Sequence, residues 1–333
     1  MFEDKVIIIA EVGDQHFGST GLGKEMVLRS KLAGADIVKF QHHLPDEEML
    51  KDIPMSSNMK EPLYDFLKKN AYTIEQHKEV SEYCEKIGIE YLCTPFSYKA
   101  AVELVENTNI TRFKIGSGEL TDIPSLLKIA DLGLPMILST GMSTYNEIDY
   151  TYNILKEKVI HLSLLNCISE YPPNYEDMNL NNIQTMIERY PKATIGHSDH
   201  TPDLYTSFAA VALGAKIVEK HVILDKKMPG PDQDVSIDFN DLYLLVDGIR
   251  KIELSLGRNK EIHDKEEKIR EWAYRSVVAI EDIPVGVRIS EEMVWTKRPG
   301  TGIPSKDINK VIGKTANKVI PKNTLIKWDM LNG

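Results

Sequence analysis

Cysteine is scarce in this chain of 333 residues: Cys84, Cys93 and Cys167 are all there is, and they lie far apart. An odd count without zinc-knuckle or redox spacing argues against a disulfide framework and points to buried thiols in a reducing cytoplasm. Long apolar runs are missing too. The N-terminal "MFEDKVIIIAEVG" is broken by Glu11, too early for a signal peptide or a spanning helix, and no other segment reaches spanning length. Positive charge is in the minority, with 40 Lys and Arg against 50 Asp and Glu, a formal net charge of −10. That balance argues against a general binder of nucleic acid or anionic membrane, so an anionic ligand needs a local cluster of cations or a metal. No strand pattern leads into a glycine-rich dinucleotide fingerprint, and the chain has no internal repeat or low-complexity tract.

What the chain does have is alternation. Eight short β-branched runs, "KVIIIAEVG", "ADIVKFQ", "EYLCTPF", "RFKIGSGE", "PMILSTG", "VIHLSLLNC", "TIGHSD" and "KIVEKHVIL", are spaced by helical patterns such as "GLGKEMVLRSKLAG" and "TIEQHKEVSEYCEKIG". Strand–helix alternation predicts a parallel sheet, and eight units within residues 1–257 predict a closed (β/α)8 barrel, a TIM barrel, with a doubly wound open sheet as the alternative. Between the second and third runs lies "HHLPDEEMLKDIPMSSNMKEPLYDFLKKNAYT", which is long for a plain connection and reads as a lid, a binding loop or a surface excursion. Residues 258–276 are highly charged and read as an exposed helical linker. Residues 277–333 read as a small, mostly β domain near the lower size limit for a core of its own.

Polar residues gather at the C-terminal end of each predicted strand: Glu11; Lys39 and Gln41; Thr94; Lys114, Ser117 and Glu119; Ser139; then Ser169 and Tyr171; Ser198 and His200; and His221. In a barrel of this kind that rim is the catalytic face. Adjacent strands lie about 5 Å apart, so His200 and His221 could share one ion, Mn, Zn, Fe or Co, with Glu11 nearby. His16, His42, His43 and His197 also fall near the rim, so spacing alone does not single out the ligands. Lys39, Lys114 and Lys220 sit inside strand patterns and would form an anion site if all three point inward, with Thr94, Ser117, Ser139 and Ser198 as hydroxyl donors. Glu119 is placed to act as a general base or to fix a lysine or water. In "MPGPDQDVS", Pro229 and Pro231 stiffen a loop that holds Asp232 over the rim or uses it as a cap.

Taken in order, "IIAEVGDQHFG", "GADIVKFQ", "TPFS", "KIGSGELTDIPSLL", "ILSTGM", "SEYPP", "SDHT", "ALGAKIVEKH" and "PGPDQDVS" make the chain resemble the N-acetylneuraminate (sialic acid) synthase family, and "RSVVAIEDIPVG" with "KRPGTGI" is similar to its antifreeze-like (SAF) domain. The resemblance covers nearly the whole chain. It implies condensation of phosphoenolpyruvate with an open-chain 2-acetamido sugar. On the same basis His200 and His221 match Mn2+ ligands, and Lys39, Thr94, Lys114, Ser117, Ser139, Ser169 and Ser198 match phosphoenolpyruvate-binding positions. Glu11, Gln41, Tyr171 and Asp232 match positions near the acceptor, and Glu119 a carboxylate that handles water or a proton. Arg298 matches an arginine that reaches the barrel of a partner subunit, which implies a domain-swapped homodimer. The chain departs from the family at Asp14, Gln15 and the "HHLPDEE" run, all on the acceptor side, so the sugar stays open. It could be N-acetylmannosamine, a diacetamido-trideoxyhexose on the way to legionaminic or pseudaminic acid, or a phosphorylated sugar. Another phosphoenolpyruvate-dependent barrel acting on an aldose phosphate would carry an arginine-rich cluster at the rim, and a non-catalytic carbohydrate-binding protein would have lost the polar rim.

Overall fold

A computed structural model describes residues 5–54 and 61–333, and the chain divides into two compact units, Met1–Gly257 and Arg258–Gly333. The first is a closed barrel of eight parallel strands: β1 (Ile7–Glu11), β2 (Ile37–His42), β3 (Glu90–Pro95), β4 (Phe113–Ile115), β5 (Met136–Ser139), β6 (Leu162–Cys167), β7 (Ala193–Asp199) and β8 (Ile217–His221), in sequence order, with β8 pairing back onto β1. The expected barrel is the observed one. Helices return the chain after every strand, and their ends carry local signals. Thr73 and Gln76 form a reciprocal capping box before the helix Ile74–Ile87, and Gly88 ends that helix at φ 75°.

Period two along each strand sets the interior. Ile9, Ile37, Leu92, Ile137, Leu165 and Ile217 point inward and form one apolar layer that closes the barrel floor. Burying each such side chain contributes about 1.5–3 kcal/mol. Gly196 completes this level, because a Cβ there would stand 2.5 Å from Leu165 Cδ2 and 2.7 Å from Ile217 Cβ. Two residues further along the same strands the inward positions become Glu11, Lys39, Thr94, Ser139, Cys167, Ser198 and Glu219. The outward residues pack under the helices in a separate, larger core. One strand is shorter than its sequence pattern: β4 stops at Ile115, and Ser117–Glu119 form a 3-10 turn that holds these residues at the rim rather than in the ladder.

In Arg258–Gly333 the charged stretch contains a helix, Asp264–Ala273, followed by β9 (Ser276–Ala279), β10 (Val294–Lys297), β11 (Thr315–Ala316) and β12 (Leu331–Asn332), paired antiparallel as β9–β10 and β11–β12. Val277, Ala279, Ile289, Val294, Ile303, Ile320 and Ile326 lie in its own buried core.

Candidate active site

Above the apolar floor the barrel opens into a cavity of about 410 Å3. Its walls include Glu11, Lys39, Gln41, Thr94, Lys114, Ser117, Glu119, Ser139, Ser169, Tyr171, Ser198, His200, His221 and Asp232. All of these expected positions are therefore on one surface, and of the three lysines expected there only Lys220 is missing from it. Leu63 and Phe66, from the long insertion after β2, complete one wall, while residues 55–60 of that insertion lie outside the described residues.

One side of the cavity is cationic. Lys114 Nζ donates to Ser139 Oγ at 2.6 Å, and Lys39 Nζ lies 3.0 Å from Glu219 Oε1 and 3.5 Å from Glu11 Oε2. Lys114 Nζ is 3.5 Å from the same Glu219 oxygen, to which Ser198 Oγ donates at 3.0 Å. Glu219 thus aims both ammonium groups into the cavity. Burial would raise its pKa, but Lys114 and Lys39 outweigh burial and hold it below the usual carboxylate range. Burial lowers Lys114, whereas for Lys39 the adjacent Glu11 and Glu219 overcome burial and raise it. Glu219 is not among the residues that the strand-end pattern singled out; its position, two residues after inward Ile217 and two before His221, is the signal that places it inside.

The other side is acidic and amidic. Gln41 Nε2 donates to Glu11 Oε1 at 2.6 Å, and burial pushes Glu11 up to about 7. Burial likewise raises Asp14 and Glu119, and carries Asp232 up to about 7. Asp232 makes no side-chain capping bond; its Oδ2 sits 3.6 Å from His221 Nδ1. Gly13, at φ 53°, passes close by, and a Cβ there would meet Asp232 Oδ2 at 3.1 Å.

The two imidazoles stand between these sides. Glu11 pairs with His221 across β1 and β8, and His200 lies one residue beyond the Asp199–Lys220 rung of β7 and β8. Their ring centroids are 5.3 Å apart, and Tyr171 stacks on His200 at 4.2 Å. The Ile168 carbonyl, 2.8 Å from His200 Nδ1, can only accept, so Nδ1 carries the proton and Nε2 keeps its lone pair. Burial lowers His200 to about 4 and holds His221 well below the ordinary imidazole range, so both rings are neutral. His221 Nδ1, Thr94 Oγ1, Glu11 Oε2, Glu119 Oε2 and Glu219 Oε2 are buried without a hydrogen-bond partner in the protein. Unpaired polar atoms that line a cavity are open to partners from a ligand or from water.

Alternation also separates the remaining histidines and corrects one lysine. His42 and His197 fall on outward positions of β2 and β7, where they meet Glu103 and the Asn166 carbonyl, and His16 stacks on Tyr72. Lys220 does not join the anion site. It points outward between inward Glu219 and His221, pairs with Asp199 at 3.2 Å and donates to the Thr201 carbonyl. All three cysteines are free and buried, with Cys167 on the cavity wall. Arg298 lies in the second unit, where its Nε donates to the Ala273 carbonyl and its guanidinium covers Trp272. Among the described residues no group of three or more His, Cys, Asp or Glu side chains could hold a metal ion.

Residues 26–261 match the NeuB family and residues 274–332 the SAF domain. The chain is 34% identical over 334 residues to N,N'-diacetyllegionaminic acid synthase of Legionella pneumophila, covering 97% of this chain and 93% of that one. It is 32% identical over 332 residues to human N-acetylneuraminate-9-phosphate synthase, covering 98% and 92%. Among solved structures, the N-acetylneuraminic acid synthetase of Leptospira borgpetersenii superposes with a TM-score of 0.72 at 32% identity, over 80% of this chain and 90% of that one.

Proposed function

Because the chain belongs to the NeuB family and carries a SAF domain after its barrel in the sequence, we propose that its rim cavity joins phosphoenolpyruvate to an open-chain 2-acetamido sugar aldehyde, making a nonulosonic acid and releasing phosphate. The observation that carries this reading is a buried two-lysine, multi-hydroxyl cradle facing two neutral imidazoles across one cavity.

Lys39, Lys114, Thr94, Ser117, Ser139, Ser169 and Ser198 hold the phosphate and carboxylate of phosphoenolpyruvate. Charge-assisted bonds from buried side chains favour this dianionic end although the chain is acidic overall. C3 of phosphoenolpyruvate adds to the aldehyde carbon, and positive charge develops at C2. Water adds there; one of its protons passes through a carboxylate, for which Glu119 and Glu11 are placed, to the alkoxide formed from the aldehyde oxygen, and the other goes to the departing phosphate as C2 becomes the keto carbon. The tetrahedral centre then expels phosphate with C–O cleavage, and the cradle that bound the phosphate holds it as it leaves. Gln41, Tyr171 and Asp232 orient the sugar.

His200 and His221 fit a divalent ion such as Mn2+: both are neutral, His200 keeps its Nε2 lone pair, and His221 has an unpartnered nitrogen. A bound ion would supply Lewis acidity at the aldehyde oxygen, which a weak carbon nucleophile needs. No helix among the described residues is long and apolar enough to cross a membrane, and the buried free thiols suit a cytoplasmic enzyme. Arg298 is assigned to the acceptor in the barrel of a second copy, within a domain-swapped homodimer.

Phosphate release from phosphoenolpyruvate with Mn2+ tests the reading against N-acetylmannosamine, its 6-phosphate, the two diacetamido-trideoxyhexoses, arabinose 5-phosphate and erythrose 4-phosphate. Release with one amino sugar is expected and names the product. Release only with an aldose phosphate would overturn the acceptor class.

A further inference from the structure

The run after β2 that departs from the family pattern reaches the acceptor side through one continuous set of hydrogen bonds. His43 is buried beside the cavity, its ring stacked on Phe96 with centroids 4.1 Å apart. Its Nδ1 lies 3.0 and 3.2 Å from the two oxygens of Glu48, whose side chain is only 4% exposed. Its Nε2 lies 3.1 Å from Gln41 Oε1, and Gln41 Nε2 donates to Glu11 Oε1 at 2.6 Å. A carboxylate and an amide oxygen both only accept, so both ring nitrogens of His43 donate and the ring is a cation. With its oxygen taken, the Gln41 amide has one orientation, amino group toward Glu11. Turned over, it would set N–H against N–H at His43 and oxygen against carboxylate at Glu11.

We infer that His43 and Glu48 are positioning residues for the acceptor sugar, acting through Gln41 by locking its amide so that one N–H is spent on Glu11 and the other is free for the substrate. This rests on the reading of Gln41 and Glu11 as the acceptor side of a synthase. The charges around the ring agree with the assignment. Burial disfavours the cation, yet Glu48, Asp14, whose Oδ2 is 4.0 Å from Nε2, and Glu119 outweigh it and raise the pKa, while His16, His42 and His77 nearby are neutral. The same Gln41 N–H favours the ionised form of Glu11 against its burial. The lock therefore joins the segment after β2 to a carboxylate at the centre of the site.

A double-mutant cycle on the full chain separates action through Gln41 from packing. With phosphoenolpyruvate, Mn2+ and whichever sugar of the panel above turns over, His43→Ala is expected to raise the acceptor KM about tenfold or more, the scale of one charge-assisted hydrogen bond, and to leave the phosphoenolpyruvate KM within about twofold. In a Gln41→Ala background the same change should add less than about twofold, because its target is gone. Glu48→Gln keeps the shape and should move the acceptor KM in the same direction by a smaller factor. Full additivity, or equal changes in both KM values, would overturn the inference. Long-range 15N NMR of the histidine rings gives a readout that needs no turnover: both His43 nitrogens should carry protons at neutral pH, and a single-proton ring would equally overturn it. If the wild type releases phosphate with no sugar while His43 is doubly protonated, the synthase reading fails and the lock stands as geometry. An active wild type with an unchanged His43→Ala acceptor KM sinks the lock alone.

Discussion

Lys114 shows how one residue's surroundings assign its role. It is fully enclosed, tied to Ser139 Oγ and the Ile115 carbonyl, with Glu219 3.5 Å away, and burial lowers its pKa. An ammonium kept in such a place is held for an anion, because an isolated buried charge costs several kcal/mol. Lys114→Ala should cut kcat/KM for phosphoenolpyruvate by about 100-fold, the loss of two to three kcal/mol of charge-assisted binding, while thermal unfolding shows the fold retained. A loss under about threefold would remove Lys114 from the anion cradle. Between the cationic and acidic sides, His221→Ala should abolish both turnover and calorimetric Mn2+ binding. Near-normal activity would remove the metal assignment.

At the scale of elements, the polar strand ends were legible because they repeat. One Glu or His at the end of an apolar run has many explanations, but eight runs ending in polar residues on one rim have few. The pattern did not say which side each residue faces near a strand's last turn. Lys220 and Lys39 look alike as lysines within apolar runs, yet Lys39 follows inward Ile37 by two positions and Lys220 follows inward Ile217 by three. Counting by twos from the floor residues would have placed Lys220 under the helices and Glu219 beside Lys39. The shortness of β4 was illegible for another reason: "GSGE" satisfies its backbone in a 3-10 turn as readily as in a ladder. The outer side of β2 supports a prediction of its own. His16, His42 and His77 are buried there with pKa values lowered by burial, His16 to about 3. Each is neutral in the folded chain and ionises near 6.5 once unfolded. Below pH 6.5 the unfolded state therefore binds more protons, and stability falls as pH falls, by up to ~1.4 kcal/mol per pH unit for each group until it ionises in the folded chain, which for His16 is near 3. Urea unfolding from pH 7.5 to 5 should show this decline, and His77→Gln should flatten it. An equally steep decline in the variant would assign the effect to other groups.

At the scale of the whole molecule, the question is why a barrel with a complete cavity carries a second unit with its own core. The proposed answer is that Arg298 completes the acceptor end of another copy's barrel. Two single substitutions make this decidable. A chain with Lys114→Ala has a dead barrel and an intact Arg298, and a chain with Arg298→Ala has the reverse. Each alone should be nearly inactive. Unfolded together in equal amounts and refolded, they form half mixed dimers, and in each of these the intact barrel meets the intact arginine of the other chain. Activity should return to about a quarter of wild type, since half the dimers carry one working site of two. If Arg298 served the barrel of its own chain, the mixture would stay inactive. If it served none, the Arg298→Ala chain would be active before mixing. The quarter also requires a dimer, so sedimentation of the same samples must show two chains per particle.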